Sequence, residues 1–198
     1  MSSVVPDSAV AGHLRSLARA AETAASALSG ELEDVARRVL DAAARDATLF
    51  FCGNGGSAAD AQHLATEYVV RFRRNRRPLR AIALTTDTSL LTAAANDLGF
   101  EQVFARQIEA LGRAGDVLFL HSTSGDSPNL LAAARAARTV GVTTIALLAR
   151  GGGALRSQVD VALVVPTDVG AHAQEIHLAI GHAICDLVEQ RAASAAGS

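Results

Sequence analysis

Tryptophan is absent, tyrosine occurs once, and aromatic residues make up only 4% of the chain. An aromatic-lined cleft is therefore not expected. The hydrophobic share of 49%, rich in alanine, instead favours helices packed closely on a sheet. Cysteine is nearly absent as well: Cys52 and Cys185 are far apart and each lies inside an apolar segment. That spacing excludes a disulfide framework and predicts reduced, buried thiols in a reducing compartment, which places the protein in the cytoplasm. No uninterrupted apolar run approaches the length of a membrane span, and the start MSSVVPDSAV lacks a basic segment followed by an apolar core. Neither secretion nor membrane insertion is expected. An excess of positive charge is also missing. The formal charge is -2, which gives no general attraction to nucleic acid. The one basic cluster, RFRRNRRPLR from Arg71 to Arg80, reads as an exposed loop of solvated arginines, with Arg71 set apart below.

A chain of 198 residues suits one domain with a full core. Val10, Leu14, Leu17, Ala21 and Ala25 recur at helical spacing over 8–28, and Gly30 reads as the interruption before a second helix over 31–44, striped by Leu32, Val35, Ala36 and Leu40. These two helices precede any strand, so an accessory or subunit-packing role is expected of them. Short apolar runs at 49–52, 81–84, 117–121, 143–148 and 161–165 read as strands, separated mostly by helical segments. Helices are expected through Ala95, over 103–111, over 129–140 and from about Ala171 to Arg191. Asn96 to Gly99 is expected as a turn, and the closing AASAAGS as a frayed end. Strands apolar on both sides and alternating with helices indicate a parallel sheet covered on both faces.

The stretch Thr48 to Arg71, TLFFCGNGGSAADAQHLATEYVVR, joins an apolar strand, a glycine-rich turn and a helix. At such a junction the backbone can approach a ligand, and the unpaired N–H groups of the helix's first turn favour an anion. Gly53, Gly55 and Ala58 satisfy a dinucleotide pattern, but Asp87 meets its acidic requirement only loosely. The second loop, Ser122-Thr123-Ser124-Gly125-Asp126-Ser127, offers four hydroxyls before Pro128, with Ser127 placed to cap the next helix. Hydroxyls and backbone donors converging on one point suit a compact phosphate monoester better than a dinucleotide. Both loops follow strands, at the carboxyl edge where open α/β sheets bind ligands. His63 and Glu67, four residues apart, share a helix face; alone, such a pair is more often a surface contact than chemistry. The last helix carries Gln174, Glu175, His177 and His182 among apolar residues, and His177 reads as a satisfied core histidine. Spacing alone does not establish a metal site, because glutamine is an unusual zinc ligand.

Four segments, CGNGGSAADAQHLATEYVVR, AANDLGF, GDVLFLHSTSGDS and AQEIHLAIGHAICDLVE, resemble those of the bacterial phosphoheptose isomerases, also called sedoheptulose 7-phosphate isomerases, within the SIS domain family. The likeness runs from about residue 10 to 190 in the family's order. It implies a three-layer αβα sandwich with a five-stranded parallel sheet of flavodoxin-like type. The whole chain 1–198 would be a single SIS domain, with an N-terminal helical extension over about 8–46 and a sheet core over about 47–191. It further implies a homotetramer with active sites at subunit interfaces, a heptose 7-phosphate substrate, and zinc in some members. Carried over by residue, the resemblance makes Ser57, Ser122, Thr123, Ser124 and Ser127 the phosphate and hydroxyl contacts. Asn54, Arg71 and Asp97 become substrate-positioning groups, with Gly55, Gly56, Asn96 and Gln174 completing the binding set. Glu67 and His182 match the acid/base pair, and His63, Glu67, Gln174 and His182 the zinc set. Ala171 departs from the pattern, since several relatives carry a substrate-contacting acid there. The resemblance also admits a second class, a non-catalytic sugar-phosphate-binding adaptor like the replication-initiator-associating SIS protein.

Overall fold

A computed structural model describes the backbone of residues 8–196 and side chains through residue 192. The first seven residues, which hold most of the MSSVVPDSAV start, and the last two lie outside the described residues. The elements are α1 (Ser8–Ala27), α2 (Ser29–Ala44), β1 (Leu49–Gly53), α3 (Gly56–Val69), β2 (Ala81–Ala83), α4 (Thr88–Leu98), α5 (Ala105–Leu111), β3 (Val117–His121), α6 (Pro128–Val140), β4 (Thr143–Leu148), β5 (Val161–Val164) and α7 (Gly170–Ala196). All strand pairs are parallel, in the order β2-β1-β3-β4-β5. Strand direction of successive side chains divides the core. Leu49, Phe51, Val117, Phe119, Ile145 and Leu147 face one way and pack with α1, α2, α3 and α7. Phe50, Cys52, Leu118, Leu120, Ala146 and Leu148 face the other and pack with α4, α5 and α6. This two-sided burial is why the strands read as continuous apolar runs.

The sheet order reverses at β1, which lies between β2 and β3, and Gly53 sits in register with His121 at the ends of β1 and β3. The two predicted ligand loops therefore leave the sheet side by side, at the switch point where such folds bind ligands.

Several boundaries differ from the sequence reading. The break between α1 and α2 is at Leu28, not Gly30. Leu28 N–H still donates to Ala24 and its carbonyl still accepts from Leu32, so one residue kinks a nearly continuous rod. α2 is not accessory, since Val35, Val39 and Ala42 are wholly buried in the core; α1 buries only Ala24 and leaves Val10 and Leu14 exposed. α4 continues to Leu98, so Asn96 and Asp97 belong to its last turn. The helix expected over 103–111 is shorter, Ala105–Leu111, and a 3-10 turn, Phe100–Gln102, precedes it. Two further 3-10 turns, Arg150–Gly152 and Ala154–Ser157, replace a plain glycine loop. At the C-terminus α7 runs on to Ala196 where fraying was expected. Both cysteines are buried and free, as expected, and burial pushes the Cys185 thiol up to about 12.

The largest departure is the basic cluster. Arg76 has only 1% of its side chain exposed and lies 3.4 Å from the fully buried Glu189 of α7. Arg76 also donates to the carbonyls of Glu67 (2.7 Å) and Tyr68 (2.8 Å), which caps the end of α3. Glu189 accepts the backbone N–H groups of Phe72, Arg73 and Arg74 at 2.7, 2.8 and 2.8 Å. Burial pushes the Glu189 carboxyl up, but the three backbone donors and Arg76 outweigh it and leave it below the usual carboxylate range. The loop is thus latched to α7, not free in solvent.

Two histidines lie within the core. His121 is 1% exposed, and His177 is wholly buried with Nε2 at 3.1 Å from the Leu148 carbonyl. Burial lowers His121 to about 3, helped by His177, and His177 to about 4. Both are neutral when folded and gain protons near pH 6.5 when unfolded, so the unfolded chain binds more protons below that pH. Stability falls as the pH drops from 6.5 toward those values. Between pH 6.5 and 5 each histidine is expected to cost about 2 kcal/mol. Urea midpoints at pH 7, 6 and 5 measure this, and His121→Leu should flatten the dependence by about one proton's share. An equally steep dependence in that variant would remove His121 as its source.

Candidate active site

The glycine loop closes on the serine loop through a reciprocal amide pair. Asn54 Nδ2 donates to Asn129 Oδ1 at 2.9 Å, and Asn129 Nδ2 returns a bond to Asn54 Oδ1 at 2.8 Å. Asn54 therefore ties the end of β1 to the first turn of α6. Ser57, in the first turn of α3, is 8% exposed. Gly56 stands where backbone and side chain meet most closely: a Cβ there would lie 2.5 Å from the amide oxygen of Gln174. Gln174 in turn donates to Asp60 at 3.2 Å. Burial raises the Asp60 carboxyl, against the hydrogen bond from Gln174 and the charge of His63. Asp60 was not singled out from the sequence, although its spacing to His63 and Glu67 puts all three on one face of α3.

The serine loop is held from behind. Ser122 Oγ accepts the N–H of Gly125 at 2.9 Å, Gly125 accepts from Leu155 N–H at 2.9 Å, and Asp126 accepts from Ala154 N–H at 2.8 Å. Gly125 has φ +74°, and a Cβ would come within 1.9 Å of the Gly152 carbonyl, so only glycine fits. Ser127 occupies the cap position before Pro128, yet among the described residues its side chain makes no capping bond; its carbonyl receives Leu130 and Leu131. Thr123, Ser124 and Ser127 remain half-buried beside the start of α6.

His63, Glu67 and His182 converge. The Nε2 atoms of His63 and His182 are 2.8 Å apart, and His63 Nε2 is 3.3 Å from Glu67 Oε1. One ligating atom from each lies within 4.8 Å of the other two. Phe72, delivered by the Glu189 latch, stacks on His182 with ring centroids 5.0 Å apart. Burial first, then His63 and Arg73, hold the His182 imidazole below its usual value against the opposing pull of Glu67. Neither Phe72 nor Glu189 carried a signal in the sequence, because their partners lie more than 100 positions away. Ligands bound to one zinc at 2.0–2.1 Å in tetrahedral geometry stand about 3.3 Å apart. The His63–Glu67 separation matches this, and the imidazole pair is closer, at hydrogen-bonding distance. Two imidazoles and a carboxylate are a donor set suited to a divalent ion, so the cluster fits a metal.

Not every expected group joins this cluster. Gln174 packs on Gly56 and Asp60, one step from it. Arg71 is exposed at the start of the latched loop. Asn96 donates to Asp97 at 2.7 Å, and Asp97 lines a groove with Leu90, Leu98, Arg106 and Leu111 that includes none of the His63 cluster. Asp87, the loose candidate for a ribose contact, is spent on capping α4 through Leu90 N–H at 2.9 Å. Ala171 is exposed beside the start of α7.

The SIS domain family matches residues 13–149. A phosphoheptose isomerase of Paramagnetospirillum magneticum is 48% identical over 189 residues, covering 96% of each chain. The solved structure of the phosphoheptose isomerase GmhA from Neisseria gonorrhoeae shares 43% identity, with a TM-score of 0.86 over 91% of this chain and 97% of that one. A phosphoheptose isomerase structure from Francisella tularensis gives 37% identity and a TM-score of 0.88 over 91% and 96%. Similarity of this extent in both sequence and fold assigns the chain to the phosphoheptose isomerase family of SIS-domain proteins.

Proposed function

We propose that the protein interconverts sedoheptulose 7-phosphate and D-glycero-D-manno-heptose 7-phosphate. The observation that carries this reading is the meeting of His182 with His63 and Glu67 across 119 positions of sequence, beside two loops that end neighbouring strands. The phosphate is received by the hydroxyls of Ser57, Thr123, Ser124 and Ser127 and the N–H groups opening α6, with Ser122 shaping the loop. Glu67 and His182 divide the proton work. One removes a proton from C1 of the ketose and returns it to C2, and the other moves a proton between the two oxygens of the enediol. Asn54, Gly55, Gly56, Arg71, Asn96, Asp97 and Gln174 position the chain of the sugar. Turnover of the ketose phosphate in deuterated water, followed at C2 of the product, tests the reaction. A protein that binds sugar phosphate yet never converts it, with or without added zinc, would be the adaptor instead; the high-identity relatives bearing enzyme names do not favour that reading.

His63, Glu67 and His182 would hold a zinc ion, with Gln174 a fourth ligand on turning away from Asp60, and the ion would supply Lewis-acid polarisation of substrate oxygens. Zinc analysis of the purified protein, with activity before and after chelation, is expected to show metal-dependent turnover. Full activity in metal-free protein would leave the four as acid/base and binding groups only. Subunit packing is supported by the exposed Val10 and Leu14 of α1 and by an apolar groove of Ala21, Ala25, Ile180, Ala183 and Leu187, and we read the assembly as a homotetramer. Sedimentation as a monomer would overturn the tetramer reading. The two free buried thiols suit the cytoplasm, and no described helix is long and apolar enough to cross a membrane.

The serine loop carries a separate expectation. Ser124 Oγ makes only a long 3.3 Å contact with Asp126 N–H, so Ser124→Ala should leave the loop intact. It should weaken binding of the phosphosugar by about 1.5–3 kcal/mol, the scale of a hydrogen bond to a charged group. Calorimetric titration with substrate reads this directly, and unchanged affinity would place the phosphate elsewhere.

A further inference from the structure

α1 and α7 meet at a second group of ligating side chains, separate from the His63 cluster. His13 of α1 and His172 of α7 approach with Nδ1 and Nε2 3.4 Å apart and ring centroids 4.5 Å apart. Glu175, one turn after His172, places Oε1 3.6 Å from His13 Nε2. One ligating atom from each residue lies within 4.8 Å of the other two. His172 is 4% exposed, while the side chains of His13 and Glu175 are 45% and 44% exposed. The site is thus anchored at its base and open to solvent on one side, so an ion can enter.

His172 approaches His13 Nδ1 and Glu175 approaches His13 Nε2, so a single ion takes one of these nitrogens and draws its third ligand from within 4.8 Å. Two nitrogens bound to one zinc in tetrahedral geometry are about 3.3 Å apart, close to the 3.4 Å found here, which is long for a hydrogen bond between rings. Two imidazoles and one carboxylate also select a borderline metal such as zinc over magnesium or calcium, whose ligands are oxygens. We propose that His13, His172 and Glu175 bind a second divalent transition-metal ion, with water in the fourth position, that staples α1 to the start of α7. α1 needs such a staple. Ala24 is its only wholly buried residue, and its outer turns expose Val10 and Leu14. The ion would also steady the first turns of the helix that carries Gln174 and His182. It is a structural ion and takes no part in the proton transfers.

The test isolates this site by disabling the other one. In the Glu67→Gln, His182→Asn double variant, dialysed against zinc and then buffer, metal analysis is expected to find about one zinc per chain, and thermal unfolding should shift upward with zinc. Adding His13→Ala, a change at a half-exposed position, should abolish both the retained zinc and the thermal shift. Cobalt(II) should give visible absorption bands of a low-coordinate site in the double variant and not in the triple. Glu175→Gln serves in place of His13→Ala if that variant proves insoluble. No zinc retained in the double variant, or zinc retained undiminished after the His13 or Glu175 change, overturns the proposal. Because the His63 cluster is disabled throughout, the outcome does not depend on whether that cluster binds metal or turns over substrate.

Discussion

His182→Asn and Glu67→Gln are each expected to lower turnover by at least about a hundredfold, the usual scale for a lost acid/base group, while the protein stays folded and still binds phosphosugar. Folding survives because neither group supports the core. His182 is half-buried against Phe72, and Glu67 meets His63 at 3.3 Å in a partly exposed contact of the kind worth about 1 kcal/mol or less. Binding is expected to survive because the serine loop proposed to receive the phosphate is tied to Leu155 and Ala154 and not to these residues. The loss should fall on kcat with KM little changed, as for groups that act in the transition state. Zinc content measured on the same samples separates a lost ligand from a lost acid or base. Wild-type turnover in both variants would sink the catalytic assignment.

Glu189→Leu is expected to destabilise the fold by about 3–5 kcal/mol, the cost of stranding one member of a buried ion pair. The reason is cumulative. The substitution leaves the Arg76 guanidinium, 1% exposed, facing an apolar side chain, and removes the acceptor of three successive backbone N–H groups. Arg76→Met should cost less. Glu189 keeps its three backbone donors in that variant, and what is lost is the ion pair and the cap on the carbonyls of Glu67 and Tyr68. Urea unfolding of the two variants checks the order. A second reading comes from activity: with the latch open, Phe72 no longer rests on His182, so turnover should fall in the surviving folded fraction while Ser124-dependent affinity persists. A cost under about 1 kcal/mol for Glu189→Leu, typical of surface changes, would show that the loop holds without its latch.

The class of fold was legible because it is written in local pattern. Runs such as Leu49 to Cys52 and Val117 to Leu120 are apolar at every position, and only a sheet covered on both faces buries both sets. The glycine loop, the serine loop and Pro128 at the start of α6 were legible for the same reason, since turn and cap chemistry is set within a few residues. Boundaries slipped where competing local signals met. Gly30 looked like the break, yet the rod kinks at Leu28 with its hydrogen bonds kept. Asn96 and Asp97 looked like a turn, yet α4 continues past them to Leu98.

The sequence by itself determined the alternation of strands and helices and the glycine-rich and serine-rich loops that follow β1 and β3, and through four motifs in family order it nominated the candidate acid/base and metal residues. Tertiary structure alone decided which groups meet: Asn54 with Asn129 across 75 positions, Phe72 with Glu189 across 117, His63 with His182 across 119, and His13 with His172 across 159. It alone turned Arg76 from a solvated charge into the buried partner of Glu189. Periodicity reports only which face of an element is apolar. The partner of a buried charge or imidazole depends on how the elements stack around the sheet, and no local pattern encodes that.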